Sequence, residues 1–271
     1  MSARSIRRSR VGGSTAAAIV ALVAVFGVAA PAIAQPPEPI DRYVALGDSY
    51  AAGQGAGVPL DACLRSTAAY PVLLDSEPRT NLLRQASCSG DTIADVAATQ
   101  LSQVNRGTTL VTLTVGANDL GAGAAYAACV PDPSSQACAI AILTIQQLLA
   151  SGAIATDLGE LIVAIAERAP NAHIVVTDYP VPFAPGPIPA TTIVNEATLA
   201  LDAQIASAVQ GAQFAGADVE LASVLAAFAA HPVGSPDPWL GADPANPLTF
   251  LHPTAVGQDA YRDVIVTALA N

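Results

Sequence analysis

Two long runs of apolar and β-branched residues constrain the fold of this chain most strongly. The run TTLVTLTVG covers residues 108–116, and AHIVVTDYP at 172–180 has a similar apolar centre. Strands of this composition are typically buried on both faces, as in a parallel sheet covered by helices on each side. Further strand candidates lie at residues 43–46, 81–85 and 218–221. Helical patterns lie at 92–104, 191–213 and the C-terminus, and at 138–169 with Gly152 and Gly159 as possible breaks. This alternation predicts an α/β fold around a central parallel sheet.

The first 34 residues have the pattern of a secretory signal peptide. Arginines near the N-terminus precede an uncharged apolar run at residues 16–28, and Ala32-Ile33-Ala34 forms an A-x-A cleavage pattern. A membrane anchor is the alternative, but the length of the run and the cleavage pattern favour a signal peptide. We therefore predict a signal peptide at residues 1–34, one mature domain at 35–271 and an extracellular protein. The pattern leaves open whether export uses the general or the twin-arginine route.

The charge of the chain excludes several classes of partner. The chain contains no lysine, and once residues 1–34 are removed, seven arginines remain against 22 acidic residues. This acidic excess argues against nucleic acid and anionic membranes as partners. After residue 34, no apolar stretch could span a bilayer without including proline, glycine or a charge. We therefore expect no integral membrane segment in the mature chain.

Four cysteines in an exported chain predict two disulfides. Three pairings are possible. Cys129 and Cys138 flank a turn-rich loop, VPDPSSQA, which favours their pairing and leaves Cys63 with Cys88. The chain has no C-x-x-C motif and only three histidines, so a metal site is disfavoured.

Two polar motifs follow strands whose carboxyl ends we expect at the same edge of the sheet. Gly47-Asp48-Ser49 comes directly after the strand at 43–46, and Gly116-Ala117-Asn118-Asp119 comes at the end of the run at 108–116. Functional sites of α/β proteins form at this edge. Ser49 is therefore a candidate nucleophile, and the alternative is an ordinary helix N-cap.

A serine nucleophile needs a base, and three histidines are candidates. His252 stands at the end of a long loop rich in proline and glycine, directly before the last helix, where it could reach the sheet edge. His173 begins a strand at the opposite edge and is expected to be solvated, and His231 lies at the start of the long loop. We therefore favour His252 as the base, with His231 as a weaker candidate.

An acyl-transfer site also needs hydrogen-bond donors for the oxyanion that forms on the substrate. The side-chain amide of Asn118 and the backbone N–H groups of Gly90 and Ser49 are candidates. Gly90 lies in the turn CSGDT, where the missing Cβ allows close approach. Each of these residues has an alternative explanation as part of an ordinary turn or cap.

Together these motifs resemble the SGNH family, also called GDSL hydrolases, across most of the mature chain. The family's sequence blocks match, in order, Gly47-Asp48-Ser49, Ser89-Gly90, Gly116-Ala117-Asn118-Asp119 and His252-Pro253. The stretches GDSYAAGQGAG and FLHPTAVGQDAY, and the cysteine beside the glycine block, are similar to those of secreted actinobacterial lipases and esterases.

The resemblance implies a flavodoxin-like three-layer α/β/α sandwich, the SGNH hydrolase fold, and hydrolysis of carboxylic esters through an acyl-serine intermediate without a cofactor. Ser49 would be the nucleophile and His252 the base. The oxyanion hole would combine the backbone N–H groups of Ser49 and Gly90 with the side-chain amide of Asn118.

The resemblance also bears on the disulfides and partners. The cysteine pairing of the similar lipases matches Cys63–Cys88 and Cys129–Cys138, and the third disulfide that many of them have is absent here. We expect a monomer that acts on a small-molecule or lipid ester.

One position departs from the family pattern. The family usually has aspartate three residues before the histidine, and this chain has Thr249 there. A threonine side chain cannot carry the negative charge that stabilises an imidazolium. Some similar enzymes use a backbone carbonyl at this place, so we predict that the Thr249 carbonyl accepts the proton on His252 Nδ1. Asp243, on the same loop, is the alternative acceptor.

The substrate stays open at the level of sequence. A carbohydrate deacetylase or a phospholipase could use the same site, and an inactive secreted binding protein on this scaffold is the non-enzymatic alternative. The loops at 180–190 and 231–251 are expected to line an acyl pocket. The apolar candidates are Phe183, Trp239, Leu240 and Phe250, for which packing within the loops is the alternative.

Overall fold

The computed structural model of the protein describes residues 39–129 and 131–270, so the predicted signal peptide lies outside the described residues. The strands in this part form a five-stranded parallel sheet in the order β2-β1-β3-β4-β5. Each overlaps a predicted strand. The strands are β1 (Asp41–Gly47), β2 (Thr80–Gln85), β3 (Leu110–Thr114), β4 (His173–Thr177) and β5 (Val219–Ala222).

Helices cover both faces of this sheet and complete the predicted three layers. The described α-helices are α1 (Ser49–Ala52), α2 (Tyr70–Leu74), α3 (Ile93–Asp95), α4 (Ala122–Cys129), α5 (Gln136–Ser151), α6 (Ala153–Arg168), α7 (Pro189–Phe214), α8 (Leu225–Phe228) and α9 (Ala255–Leu269). Along β1, Val44 and Leu46 pack in a core with α3, α6 and α7, whereas Tyr43 and Ala45 pack in a second core with α2, α8 and α9. This alternation along a strand separates the two cores.

The helical stretch predicted at 92–104 is only partly α-helical. After α3 the chain forms a π-helical turn at Val96–Gln100 and a 3₁₀ turn at Leu101–Gln103. The buried side chain of Gln100 accepts a hydrogen bond from the Gly47 N–H and donates one to the Gly47 carbonyl, each at 2.8 Å. The π-helical turn therefore fixes the end of β1, and the predicted nucleophile, Ser49, lies two residues after that end.

The helical stretch predicted at 138–169 is two helices, because Gly152 takes a φ of +70° between α5 and α6. Within the described ranges no single helix is long and apolar enough to cross a membrane, although the bent pair of α5 and α6 meets that length and composition when taken together.

Two disulfides tie connecting segments to the fold. Cys63, in the loop after α1, bonds to Cys88, in the turn after β2, with an S–S distance of 2.07 Å. Cys129, at the end of α4, bonds to Cys138 in α5 at 2.00 Å. The structure therefore contains the two pairs that the sequence favours.

Candidate active site

Ser49 is the first residue of α1, on a tight connection from β1. Gly47 ends β1 with a φ of +133°, and a Cβ at this position would lie 2.2 Å from the Thr114 carbonyl oxygen, so only glycine fits. Asp48 caps the helix, since its carboxylate accepts a hydrogen bond from the Tyr50 N–H at 2.9 Å. Asp48, and not Ser49, is therefore the N-cap, which leaves the serine hydroxyl for another partner.

His252, in the loop before α9, is the partner of the Ser49 hydroxyl. Its Nε2 lies 3.0 Å from Ser49 Oγ, and its Nδ1 lies 3.0 Å from the carbonyl oxygen of Phe250. Because a carbonyl can only accept, the contact with Phe250 favours the tautomer with the proton on Nδ1. In that tautomer Nε2 accepts from the serine hydroxyl, which is the arrangement that can take up its proton.

The acceptor for His252 Nδ1 differs from the predicted one, so the prediction of the Thr249 carbonyl was wrong. That carbonyl accepts from the backbone N–H of His252 at 3.0 Å, which closes a turn in which Leu251 has a φ of +60°. The turn uses the Thr249 oxygen for the backbone and presents the Phe250 carbonyl to the ring. The alternative, Asp243, was also wrong, because its exposed carboxylate accepts from the backbone N–H two residues later.

The imidazole is held neutral by its surroundings. Burial lowers the pKa of His252 to about 4, and the hydrogen bond to the Phe250 carbonyl acts in the opposite direction. At pH 7 the ring is therefore free to accept a proton, as a general base must be. Since Nδ1 meets a neutral carbonyl, the part of the chain that the structure describes places a serine–histidine pair here and no carboxylate on Nδ1.

The predicted oxyanion donors lie on three connections at the carboxyl edge of the sheet. Among the described residues, the backbone N–H groups of Ser49 and Gly90 have no hydrogen-bond acceptor. Gly90 has a φ of +90°, which favours glycine. Asn118 donates one amide hydrogen to the carbonyl of Asp91 at 2.9 Å, which fixes its side chain against the turn that contains Gly90. Within the described residues, no acceptor takes the second amide hydrogen of Asn118 or these two backbone N–H groups.

A buried network fixes Asp48, the residue before the serine. Tyr179 donates its hydroxyl to the second carboxylate oxygen of Asp48 at 2.5 Å, and its backbone N–H donates to Asp202 at 3.0 Å. Burial raises the pKa of Asp48 to about 7, although the hydrogen bond from Tyr179 lowers it. Burial likewise raises the pKa of Asp202 to about 8. No local sequence pattern indicates the role of Tyr179, because its partner Asp48 is 131 positions away.

A second tyrosine fixes the histidine loop. Tyr50, next to the serine, donates its hydroxyl to the carbonyl of Leu251 at 2.5 Å, across 201 positions of sequence. Its ring centroid lies 5.7 Å from that of His252. The residue after the candidate nucleophile therefore also supports the residue before the candidate base.

The apolar residues predicted to line an acyl pocket divide into two groups. The rings of Phe183 and Phe250 lie together, with centroids 6.3 Å apart, and Tyr126 of α4 joins them at 5.4 Å from Phe250. Trp239 instead stacks on a neighbouring histidine, and Leu240 is buried in the core beside α9. The aromatic cluster of Tyr126, Phe183 and Phe250 is therefore the apolar surface next to the carbonyl that holds His252.

The other two histidines lie elsewhere. His231 stacks on Trp239 with centroids 3.6 Å apart. His173, at the start of β4, lies between Asp218 and Glu220, at 2.8 Å and 3.0 Å. Burial lowers the pKa of His173, but the hydrogen bonds to these two carboxylates outweigh this effect and raise the pKa above its ordinary value. It is therefore an ion-pairing residue rather than a simply solvated one.

A serine and a neutral histidine at the carboxyl edge of a parallel sheet, beside unpaired N–H donors, define a hydrolase-type site on a three-layer α/β fold. The family model described as GDSL-like Lipase/Acylhydrolase matches residues 45–260. The chain belongs to this family.

Individual relatives agree with the family match. The chain is 33% identical over 263 residues to Lipase 1 of Streptomyces coelicolor, which covers 93% of this chain and 96% of the relative. Lipase of Streptomyces rimosus is 32% identical over 265 residues, with 96% and 98% covered. These full-length matches show that the protein is a carboxylic ester hydrolase.

Two solved structures have the same fold. The extracellular lipase of Streptomyces rimosus matches with a TM-score of 0.75 at 33% identity, covering 84% of this chain and 99% of that one. Phospholipase A1 of Streptomyces albidoflavus matches with a TM-score of 0.73 at 30% identity, with the same coverage. The matches confirm the predicted fold.

Proposed function

We propose that the protein is an extracellular serine ester hydrolase in which Ser49 is the nucleophile and His252 the general base. The observation that carries this proposal is the 3.0 Å contact between Ser49 Oγ and His252 Nε2, with Nδ1 held by the Phe250 carbonyl at 3.0 Å. A hydroxyl becomes an effective nucleophile when such a base takes its proton.

The reaction proceeds in two halves. Ser49 Oγ attacks the ester carbonyl carbon while its proton passes to His252 Nε2, and the N–H groups of Ser49 and Gly90 with the Asn118 amide stabilise the oxyanion. The tetrahedral intermediate expels the alcohol, which takes the proton from Nε2, and leaves an acyl-serine. Water then loses a proton to Nε2, attacks the acyl carbon and releases the acid, and Ser49 recovers its proton.

Among the described residues the partner of His252 Nδ1 is a carbonyl and not an acid, and this is compatible with the mechanism. Removing the acid of a serine triad costs about 10⁴ in rate, whereas removing the serine or the histidine costs about 10⁶. The Phe250 carbonyl supplies one function of the acid, since it selects the tautomer and the orientation of the ring. It has no charge with which to stabilise the imidazolium.

Extracellular localisation has three lines of support. The sequence predicts a signal peptide at residues 1–34, disulfides join Cys63 to Cys88 and Cys129 to Cys138, and the structurally similar lipase of Streptomyces rimosus is described as extracellular. The test is to measure the activity and the amount of the protein in the culture medium and in washed cells. Retention of the protein inside the cells would contradict the proposal.

A lipid ester is the substrate class that we propose. The aromatic cluster of Tyr126, Phe183 and Phe250 offers an apolar surface for an acyl chain, and a phospholipase A1 is similar at 30% identity. Phospholipid cleavage is therefore the second candidate function. Turnover of glycerol esters, a phosphatidylcholine and acetylated xylan compared side by side distinguishes a lipase, a phospholipase and a carbohydrate deacetylase.

Hydrolysis of p-nitrophenyl butyrate by the purified mature protein, beside Ser49→Ala, tests the mechanism. We expect turnover by the wild type and a loss of about 10⁶ in kcat, to the background rate, in the variant. Labelling with a fluorophosphonate separates an enzyme with an unusual substrate from an inactive binding protein, because only a reactive serine is labelled. A folded wild-type protein that neither turns over nor is labelled would contradict the proposal.

A further inference from the structure

Gln54 is a buried side chain packed against the candidate base. It follows α1 and is only 7% exposed. The glycines on either side, Gly53 and Gly55, have φ values of +83° and +90°. A Cβ added at Gly55 would lie 2.9 Å from the Cβ of His252, so this turn touches the histidine directly. The backbone therefore fixes Gln54 beside the ring.

The amide of Gln54 joins two loops that are distant in sequence. Its Nε2 donates to the Leu248 carbonyl at 3.0 Å, and its Oε1 accepts from the Ser89 hydroxyl. Because the Leu248 carbonyl can only accept, the amide nitrogen must lie on that side, which fixes its orientation. Ser89 precedes Gly90, and Leu248 lies four residues before His252. One side chain thus connects the turn of an oxyanion donor with the loop of the base.

The same amide lies where a serine triad has its acid. Gln54 Nε2 is 3.4 Å from His252 Nδ1, and the Phe250 carbonyl is closer, at 3.0 Å. An uncharged amide cannot stabilise an imidazolium as a carboxylate does. What Gln54 can supply is a fixed position for the loop that carries both the carbonyl and the ring.

We propose that Gln54 is a positioning residue for the Ser49–His252 pair, and this inference rests on the proposed function. Gln54 holds the segment 248–252 so that the Phe250 carbonyl and the imidazole keep their arrangement without an acid. A misplacement of about 1 Å in such a pair can cost about 10² in rate. Loss of the Gln54 contacts should therefore lower kcat rather than weaken substrate binding.

The first variant is Gln54→Met, which keeps the length of the side chain and removes both hydrogen bonds. We expect kcat for p-nitrophenyl butyrate to fall by about 10- to 100-fold, with KM within about twofold of the wild type. The matched control is Gln204→Met. Gln204 is half-buried, donates to the Leu149 carbonyl at 2.8 Å and accepts from the Ala155 N–H at 3.1 Å. The control variant therefore loses two similar hydrogen bonds at a position that does not contact the site. Its kcat should stay at the wild-type value.

The second variant, Gln54→Glu, gives a readout that a merely structural side chain would not affect. A carboxylate at this place would lie near His252 Nδ1 and stabilise the protonated ring. We expect the acid limb of the pH profile of kcat/KM to move up by at least about one pH unit. An unmoved limb would show that residue 54 does not act through the histidine.

The outcomes separate this inference from the proposed function. Wild-type kcat in folded Gln54→Met overturns the inference and leaves the function intact. If Gln54→Met fails to fold, Ser89→Ala replaces it, with an expected fall in kcat of about threefold or more, and an unchanged kcat overturns the inference. If the wild type is inactive in the assay but labelled by a fluorophosphonate, labelling rates of the same variants make the comparison. If it is not labelled, the function and this inference fail together.

Discussion

The low pKa of His252 predicts that activity persists well into the acid range. Burial lowers this pKa from an ordinary value of 6.5 to about 4. At pH 5 a base of pKa about 4 is about 90% neutral, whereas an ordinary histidine would be about 3% neutral. The profile of kcat/KM should therefore have its acid limb near pH 4, and about nine-tenths of the maximal value should remain at pH 5.

The same shift has a cost in rate. The burial that lowers the pKa of His252 also makes the imidazolium costly to form, and the proposed mechanism requires this ion transiently. The enzyme should therefore combine a broad acid range with a modest maximal kcat. This combination follows from a buried ring whose Nδ1 partner, the Phe250 carbonyl, carries no charge.

The assay is hydrolysis of p-nitrophenyl butyrate from pH 3.5 to 8, followed at a wavelength where ionisation of the product does not change its absorbance. Ser49→Ala provides the spontaneous rate at each pH. Circular dichroism and recovery of activity on return to pH 7 separate titration from unfolding. An acid limb between about pH 6 and 7 would refute the reasoning, because it would mean that a group other than a histidine of lowered pKa controls the rate.

Three further predictions concern the oxyanion donor, a buried acid and a disulfide. Asn118→Ala should lower kcat for p-nitrophenyl butyrate by about 10²–10³ with little change in KM, and an unchanged kcat would remove Asn118 from the oxyanion hole. Asp202→Asn should raise the melting temperature at pH 8 but not at pH 3.5. Burial raises the pKa of Asp202 to about 8, so its stabilising contribution is complete below the unfolded value of about 3.8 and is lost as pH rises through about 8. An equal change in melting temperature at both pH values would show that the raised pKa of Asp202 is not the cause. Replacing Cys63 and Cys88 together by serine should lower the free energy of unfolding by about 2–4 kcal/mol in urea titrations, and an unchanged midpoint would show that the bond is dispensable.

The sequence predicted the sheet well because the signal for a buried strand is local. The runs that contain β3 and β4 are β-branched and apolar, and no distant partner is needed to recognise them. The π-helical turn at Val96–Gln100 was not predictable in this way. The buried Gln100 of this turn forms hydrogen bonds with Gly47, 53 positions earlier. This tertiary contact accompanies the departure from α-helical geometry, and no local sequence pattern encodes it.

In the candidate site, too, the features with a local sequence signal were predictable and those that depend on distant contacts were not. Ser49 and His252 were identifiable because each lies in a short motif at the end of a strand or before a helix. The acceptor for His252 Nδ1 was not, since the choice between the carbonyls of residues 249 and 250 depends on a turn with Leu251 at a φ of +60°. Tyr179 and Gln54 were missed because their partners come from remote loops.

The distance along the chain between the two members of the pair determines when activity can begin. Ser49 and His252 are 203 positions apart, and α9, which follows the histidine, is tied to the serine region through Gln258, which binds the carbonyl of Tyr50 and the N–H of Tyr70. A nascent chain that has emerged only as far as β5 contains the proposed nucleophile, Ser49, and still lacks the proposed base, His252. Catalysis can begin only after the last part of the chain has emerged and docked.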